Sequence, residues 1–227
     1  MSYTFDFSAL LPFWRAFVQG AWLTLQLSAI STVLGCILGT LCAIGRADGP
    51  KWLRIAIGTY VEVIRNTPLL VQVFIVYFGF ATMGLKVTAN MAAVAALVVN
   101  VGAYTCEIVR AGLESIHRSQ IEAAECLGLN RRQIYWHVIV RPAIERVYPA
   151  LTSQYVLLML ASSITSQISA EELTAVANRI QSETFRSFET YIVTGIIYIF
   201  LSFLVRGAFF AAGQVLFPRR RKLGTAI

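Results

Sequence analysis

In a chain that is mostly apolar, a few polar side chains recur at helical spacing. Asn100, Tyr104 and Glu107 stand at i, i+4 and i+7, on one face of a helix. Glu62 and Asn66 are one turn apart, with Arg65 beside them and Pro68 just beyond. Ser162, Ser163, Thr165 and Gln167 form a third group of hydroxyls and an amide. Polar and ionisable residues inside apolar segments are the default candidates for a functional path rather than for packing. A plainer reading stands beside this one. Glu62 with Arg65, or Glu107 with Arg110, can be an i, i+3 ion pair that only holds a bundle together. Buried serines more often bond between helices than to a solute.

Covalent chemistry is poorly provided for. The chain has no G-x-x-x-x-G-K-[ST] phosphate loop, no H-E-x-x-H and no G-x-S-x-G. His117 and His137 lack metal-ligand spacing. Cys36, Cys42, Cys106 and Cys126 form no C-x-x-C pair and read as small hydrophobes. No cofactor is expected on this chain. Any step that consumes ATP must be supplied by another subunit.

The elements that would position these residues are membrane spans. Hydrophobic residues make up 57% of the 227 residues and charged ones 14%, whereas a soluble domain carries about a quarter charged. A span needs about 20 apolar residues. Five are expected, at about 21–44, 55–82, 87–109, 147–169 and 190–212, giving an all-α polytopic membrane protein with a single transmembrane domain over 21–218. Pro68 should loosen the second span and free backbone groups there. Residues 1–20, rich in Phe and Trp, read as an interfacial segment, and the first span is expected to serve as its own insertion signal. Gly35 and Gly39 form a small-x-x-x-small pattern that favours close packing within the bundle.

Charge sets the orientation. Arg46, Lys51, Arg54, Arg110, Arg118, Arg131, Arg132, Arg141, Arg146, Arg219, Arg220, Arg221 and Lys222 fall on one side. Arg15, Lys86, Arg179 and Arg186 fall on the other. Lys and Arg concentrate in cytoplasmic loops, so the N-terminus is expected outside and the C-terminus inside. The formal charge of +7 is thus a positive-inside pattern rather than a nucleic-acid groove. The basic tail, 219–227, reads as an anchor to anionic lipid headgroups.

Residues 110–146 form the longest cytoplasmic segment in this scheme. Ser119 with Glu122 three residues later has the form of a capping box. Ala123 and Ala124 offer a flat helical surface, and Gly128 can take the positive φ that ends a helix. Asn130 and Gln133 repeat the box. Two short helices with a sharp corner are expected, with a second break at Pro142. Capping alone fits an ordinary surface helix. A rigid, capped, cytoplasmic corner also fits a knob that seats in a partner's groove.

The run Glu122-Ala-Ala, three residues, Gly128, nine residues, Val138-x-Val140 and then Pro142 resembles the EAA signature of permease subunits of binding-protein-dependent ABC importers. Val replaces the usual Ile and Leu, and Arg141 moves the proline one place on. GAWLTLQLS at 20–28, RNTPLLVQ at 65–72, GAYTCEIVRAGLESI at 102–116, ISAEELT at 168–174 and TFRSFETY at 184–191 resemble the polar amino-acid branch of that family, in its order and over most of the chain. The resemblance implies the five-span type I importer fold. It implies a dimer of ATPase subunits carrying ATP and Mg, a second permease subunit (a copy or a paralogue) and an extracytoplasmic solute-binding protein. It implies a polar amino acid or an opine as solute, and a bacterial inner membrane as location. Ser119, Glu122, Ala123, Ala124, Gly128, Arg131 and Arg132 would couple to the ATPase. Glu62, Arg65, Asn66, Asn100, Tyr104, Glu107, Ser162, Ser163 and Thr165 would be candidates for the solute path. Leu160 and Ala161 are apolar where many relatives carry a charged or amide pair, so solute contacts do not carry over there. A stand-alone transporter or channel would show inverted repeats, and the halves have no convincing self-similarity. A small membrane enzyme would rest on Glu62 and Glu107 alone.

Overall fold

Hydrocarbon offers no partners for a peptide group, so an uncharged run that crosses it must satisfy its backbone from within, as a helix. The computed structural model describes residues 4–217, and among them there is no strand. The tail residues Arg219, Arg220, Arg221 and Lys222 lie outside the described residues. A 3₁₀ turn at Ser8–Phe13 leads into α1 (Trp14–Asp48). Then follow α2 (Lys51–Arg65), α3 (Leu69–Thr82), α4 (Ala89–Glu114) and the short α5 (Arg118–Cys126). The start of α6 (Arg131–Gln133) continues through a π-helical stretch (Ile134–Val140) into α7 (Arg141–Ala161), which ends in a 3₁₀ turn at Ser162–Ile168. α8 (Leu173–Thr184) and α9 (Ser187–Leu216) close the fold.

Four of these runs are long and apolar enough to cross a bilayer: Ser8–Asp48, Ala89–Glu114, Arg131–Ile168 and Ser187–Leu216. The expected second span, about 55–82, is not one helix. It is α2 and α3, bent by 112° across residues 66–68, and counting the pair as one broken span gives five. Pro68 lacks an N–H and disfavours helix at Thr67, so the ladder stops. Three further expectations change. The first helix begins at Trp14, taking in residues read as interfacial. No second corner forms at Pro142: the π stretch just before it shifts the local bonding register, and the helix runs on continuously into α7. Residues 131–146 are therefore the lower part of a span rather than a short separate helix.

The glycine pattern packs within the bundle, as expected, and its partner is α4. A Cβ on Gly39 would stand 2.6 Å from the Gly102 carbonyl oxygen, and one on Gly35 only 2.1 Å from Val101 Cγ1. Small residues let the two backbones meet, which is how helices associate in lipid, where no hydrophobic force drives them together. Further out, Thr24 on α1 donates to the Gly20 carbonyl (3.0 Å) and accepts from the Leu173 N–H (3.1 Å), pinning the start of α8. Glu172, fully buried, caps α8 by accepting from Thr174 N–H (2.9 Å) and Ala175 N–H (3.0 Å), and Tyr198 of α9 donates to it at 2.7 Å. Burial pushes the Glu172 carboxyl above the usual carboxylate range, against the pull of those bonds. The 20–28 and 168–174 segments thus lie against each other. On α9, Ile196, Ile199, Phe200 and Phe203 are exposed, a surface suited to hydrocarbon or to another membrane subunit.

Overpacking the seam should be costly. Gly39→Ala is expected to lower unfolding stability in detergent by about 1–3 kcal/mol. Gly195→Ala, where a Cβ meets nothing within 4 Å, should be neutral or stabilise by up to about 1 kcal/mol. Thermal or denaturant unfolding of both variants checks this.

Candidate functional site

The break in the broken span leaves carbonyls without helical partners, and the chain supplies them from side chains. Thr67 Oγ1 donates to the Val63 carbonyl (2.9 Å), while Asn66 Nδ2 adds a second bond (2.8 Å) to the Glu62 carbonyl, which already accepts from the Asn66 N–H (3.1 Å). Gln72 Nε2 donates to the Ile64 carbonyl (2.7 Å) and to that of Thr67 (3.0 Å). Asn100 Nδ2 of α4 then donates to Gln72 Oε1 at 2.8 Å. Each unpaired amide group in hydrocarbon would cost several kcal/mol, so Gln72 and Asn100 form the splice that makes the 112° bend tenable. In the sequence Gln72 is only the last residue of the RNTPLLVQ stretch. Its partners are set by the bend, which the sequence does not reveal.

The splice aims Arg65 back at α4. Its guanidinium lies over the Tyr104 ring at 5.6 Å and stands 3.9 Å from Glu107 Oε2. Glu107 also pairs with Arg46 of α1 and, at 2.8 Å, with Arg110. Arg110 in turn holds Glu114 at 2.6 Å. One carboxylate thus ties α1, α2 and α4 together. The i, i+3 pair expected at Glu107 and Arg110 is present. No ion pair joins Glu62 to Arg65: Glu62 is exposed and accepts from Asn66 Nδ2 at 3.2 Å. In the sequence Arg46 is one of the loop charges, and spacing gives no sign of a partner 61 residues away.

The third polar group turns inward on its own backbone. Ser162 donates to the Met159 carbonyl (2.7 Å), Ser163 to that of Leu160 (2.8 Å) and Thr165 to that of Ser162 (2.7 Å). Ser162 and Thr165 are fully buried. Their hydroxyls serve the 3₁₀ turn. The structure therefore brings Arg65, Tyr104 and Glu107 into one cluster, pairs Glu62 with Asn66, and commits Asn100, Ser162, Ser163 and Thr165 to bonds within the chain.

The corner after α4 is well made, with one correction. The N-cap of α5 is His117 rather than Ser119: His117 Nδ1 accepts from the Ser119 N–H at 3.3 Å and lies 2.7 Å from Ser119 Oγ. Ser119 is inside the first turn, so the box with Glu122 does not form; the imidazole two residues earlier reaches the free amide first. At the other end Gly128 has φ +75°. Gly128 N–H donates to the Glu125 carbonyl (2.9 Å) and Leu129 N–H to that of Ala124 (3.2 Å), a Schellman closure. Asn130 and Gln133 form the expected reciprocal box, both bonds at 2.9 Å. Ala123 and Ala124 do not share an outward face, since adjacent helical residues point about 100° apart. Ala123 and Glu122 are exposed; Ala124 is buried against the chain, where α5 packs on the π stretch. Leu127, beside the glycine, is 80% exposed. Arg131 and Arg132 are exposed just beyond it.

Comparison with known proteins now decides the family. Residues 31–221 match the model of the binding-protein-dependent transport system inner membrane component. The chain belongs to that family. This permease is 34% identical over 220 residues to the octopine transport system permease protein of Rhizobium radiobacter, covering 92% of this chain and 90% of that one. It is 33% identical over 209 residues to the glutamine transport system permease protein of Escherichia coli K12, covering 89% and 95%. Among solved structures, an amino acid ABC transporter crystallised with histidines matches at TM-score 0.86 and 33% identity, over 93% of this permease and 99% of that chain. An inward-facing methionine ABC transporter shares the fold, at TM-score 0.75 and 19% identity over 91% and 98%. The chain is a membrane-spanning transport subunit of an ABC importer rather than an enzyme, and membership of this family implies ATPase and binding-protein partners.

Removing the charge that three arginines share should be felt. Glu107→Gln is expected to cost about 1–3 kcal/mol, below the figure for a fully buried pair because the cluster is partly exposed. Glu62→Gln should stay within about 0.5 kcal/mol. Melting of the two variants in the same detergent separates them.

Proposed function

We propose that this permease carries a polar amino acid or an opine inward across the bacterial inner membrane, with its N-terminus outside and its C-terminus cytoplasmic. It pairs with a second permease subunit, a copy of itself or a paralogue. A solute-binding protein delivers cargo on the outer side. An ATPase dimer, holding ATP and Mg, docks on the α5 corner. The observation that carries this reading is the corner: a helix capped at both ends, fixed by a glycine at positive φ, with Ala123, Glu122 and Leu127 turned outward. A stiff projection of this kind transmits a push rather than absorbing it. When the ATPases close, the two corners of a permease pair move with them, and the spans rock between inward-open and outward-open states. Arg131 and Arg132 extend the contact, and Ser119 faces the same solvent.

For the solute path we propose the cluster at the broken span. Arg65 and Tyr104 offer a cation, a ring and a hydroxyl, and Glu62, Arg65 and Asn66 are exposed at the break. Broken helices of this kind line solute sites in other transporters. Asn100, Ser162, Ser163 and Thr165 shape the wall through their internal bonds, and Glu107 holds Arg65 in place.

The test uses the whole complex. Leu127→Asp should abolish copurification of the ATPase and solute-stimulated ATP hydrolysis while leaving membrane insertion intact. Gly128→Asn, which tolerates positive φ, should keep both. ATPase association untouched by Leu127→Asp would rule out docking at the corner. A panel of amino acids and opines in the same hydrolysis assay identifies the cargo.

A further inference from the structure

A second charged feature sits at the end of the bundle that carries α5; it borders the Glu107 cluster through Arg46 and Arg110, but its other cations serve neither that cluster nor the corner. A cavity of about 600 Å³ is lined by Arg46, Lys51, Arg54, Ile55, Arg110 and Glu114. Its walls are the last turns of α1 and α4 and the first turn of α2. The charges do not cancel. Arg46 and Arg110 are spent on Glu107 and Glu114. Lys51 and Arg54 have no ion pair among the described residues, and both are exposed. The N-terminus of the 15-residue α2 opens here behind Pro50 with no side-chain cap, so its first N–H groups add partial positive charge. Directly beside the two spare cations, Trp52 is 70% and Ile55 60% exposed.

We propose that this cavity binds the headgroup of an anionic phospholipid. The phosphate meets Lys51, Arg54 and the start of α2, while Trp52 and Ile55 lie along the glycerol and the upper acyl chain. Basic pockets between transmembrane helices take such headgroups, and tryptophan favours this depth of the bilayer. The neighbouring apolar pair is what separates a lipid from a free oxyanion: inorganic phosphate gains nothing from Trp52 and Ile55. The site is independent of which solute is carried. It anchors the joint between α1 and the broken span to the membrane surface.

The full chain, purified in a nonionic detergent, is titrated with phosphatidylglycerol or phosphatidylcholine, and bound lipid is counted by native mass spectrometry. The wild type should hold phosphatidylglycerol in clear preference. The double variant Lys51→Gln, Arg54→Gln should weaken that binding about thirty-fold, two cations at about five-fold each. Its phosphatidylcholine binding should not change. Lys86→Gln, at the opposite end of α4, should alter neither. Both replaced residues are exposed and unpaired, so helical circular dichroism and melting should match the wild type. Should the double variant fold poorly, Arg54→Gln alone carries the test at about five-fold. Unchanged phosphatidylglycerol binding in the variant, equal binding of phosphatidylcholine, or displacement of the lipid by inorganic phosphate at matched concentration would each overturn the proposal.

Discussion

A peptide group without a partner in hydrocarbon is the constraint that most shapes this chain. Along the unbroken helices the backbone ladder meets it without help. At residues 66–68 it does not, and three side chains make up the difference: Thr67, Gln72 and, through Gln72, Asn100. The bend exists because Pro68 ends one ladder. It persists because α4 reaches across to hold the side chain that closes the gap. From that splice follows the position of Arg65, and from Arg65 the cluster with Tyr104 and Glu107.

The splice is useful only on a frame that does not give. α1 and α4 meet backbone to backbone along Gly35, Gly39 and Gly102, and Glu107 ties one end of the pair to α2. At the opposite end Thr24 and Glu172 lock α8 to α1, and Tyr198 joins α9 to the same carboxylate. The α5 corner is short, capped and continuous in sequence with α4 on one side and with the long α6–α7 run on the other. In the function proposed here, force applied at Leu127 reaches two spans through helices with no flexible linker longer than the residues between Cys126 and Arg131.

Much of this could be read from the sequence because it is local. Asn130 and Gln133 find each other within one turn. Gly128 is fixed by the positive φ its corner needs, and the glycines of α1 by the approach of a neighbouring backbone. What could not be read depends on partners distant along the chain or on competition between near-equal local options. His117 and Ser119 are both able to cap α5, and imidazole geometry decided between them. Pro142 looks like a break until the π stretch before it is seen to widen the helix. Arg46 and Gln72 have partners chosen by tertiary packing. The size of the bend at Pro68 is set by how α3 packs on α4, through Val73 against Ala92, Ala93 and Ala96. Pro68 by itself fixes only that there is a break.

The account stands or falls on contact between the α5 corner and the subunit that burns ATP. Cys126 offers a direct probe, since it is exposed in the last turn of α5 while Cys106 is buried and Cys36 and Cys42 lie within α1. The assembled transporter is treated with a short reagent that joins a thiol to a nearby lysine, and the linked peptides are sequenced. The account requires Cys126 to be joined to the ATPase subunit, with the yield changing when ATP is bound. A complex in which Cys126 never links to the ATPase, while a cysteine placed at Lys86 does, would contradict it.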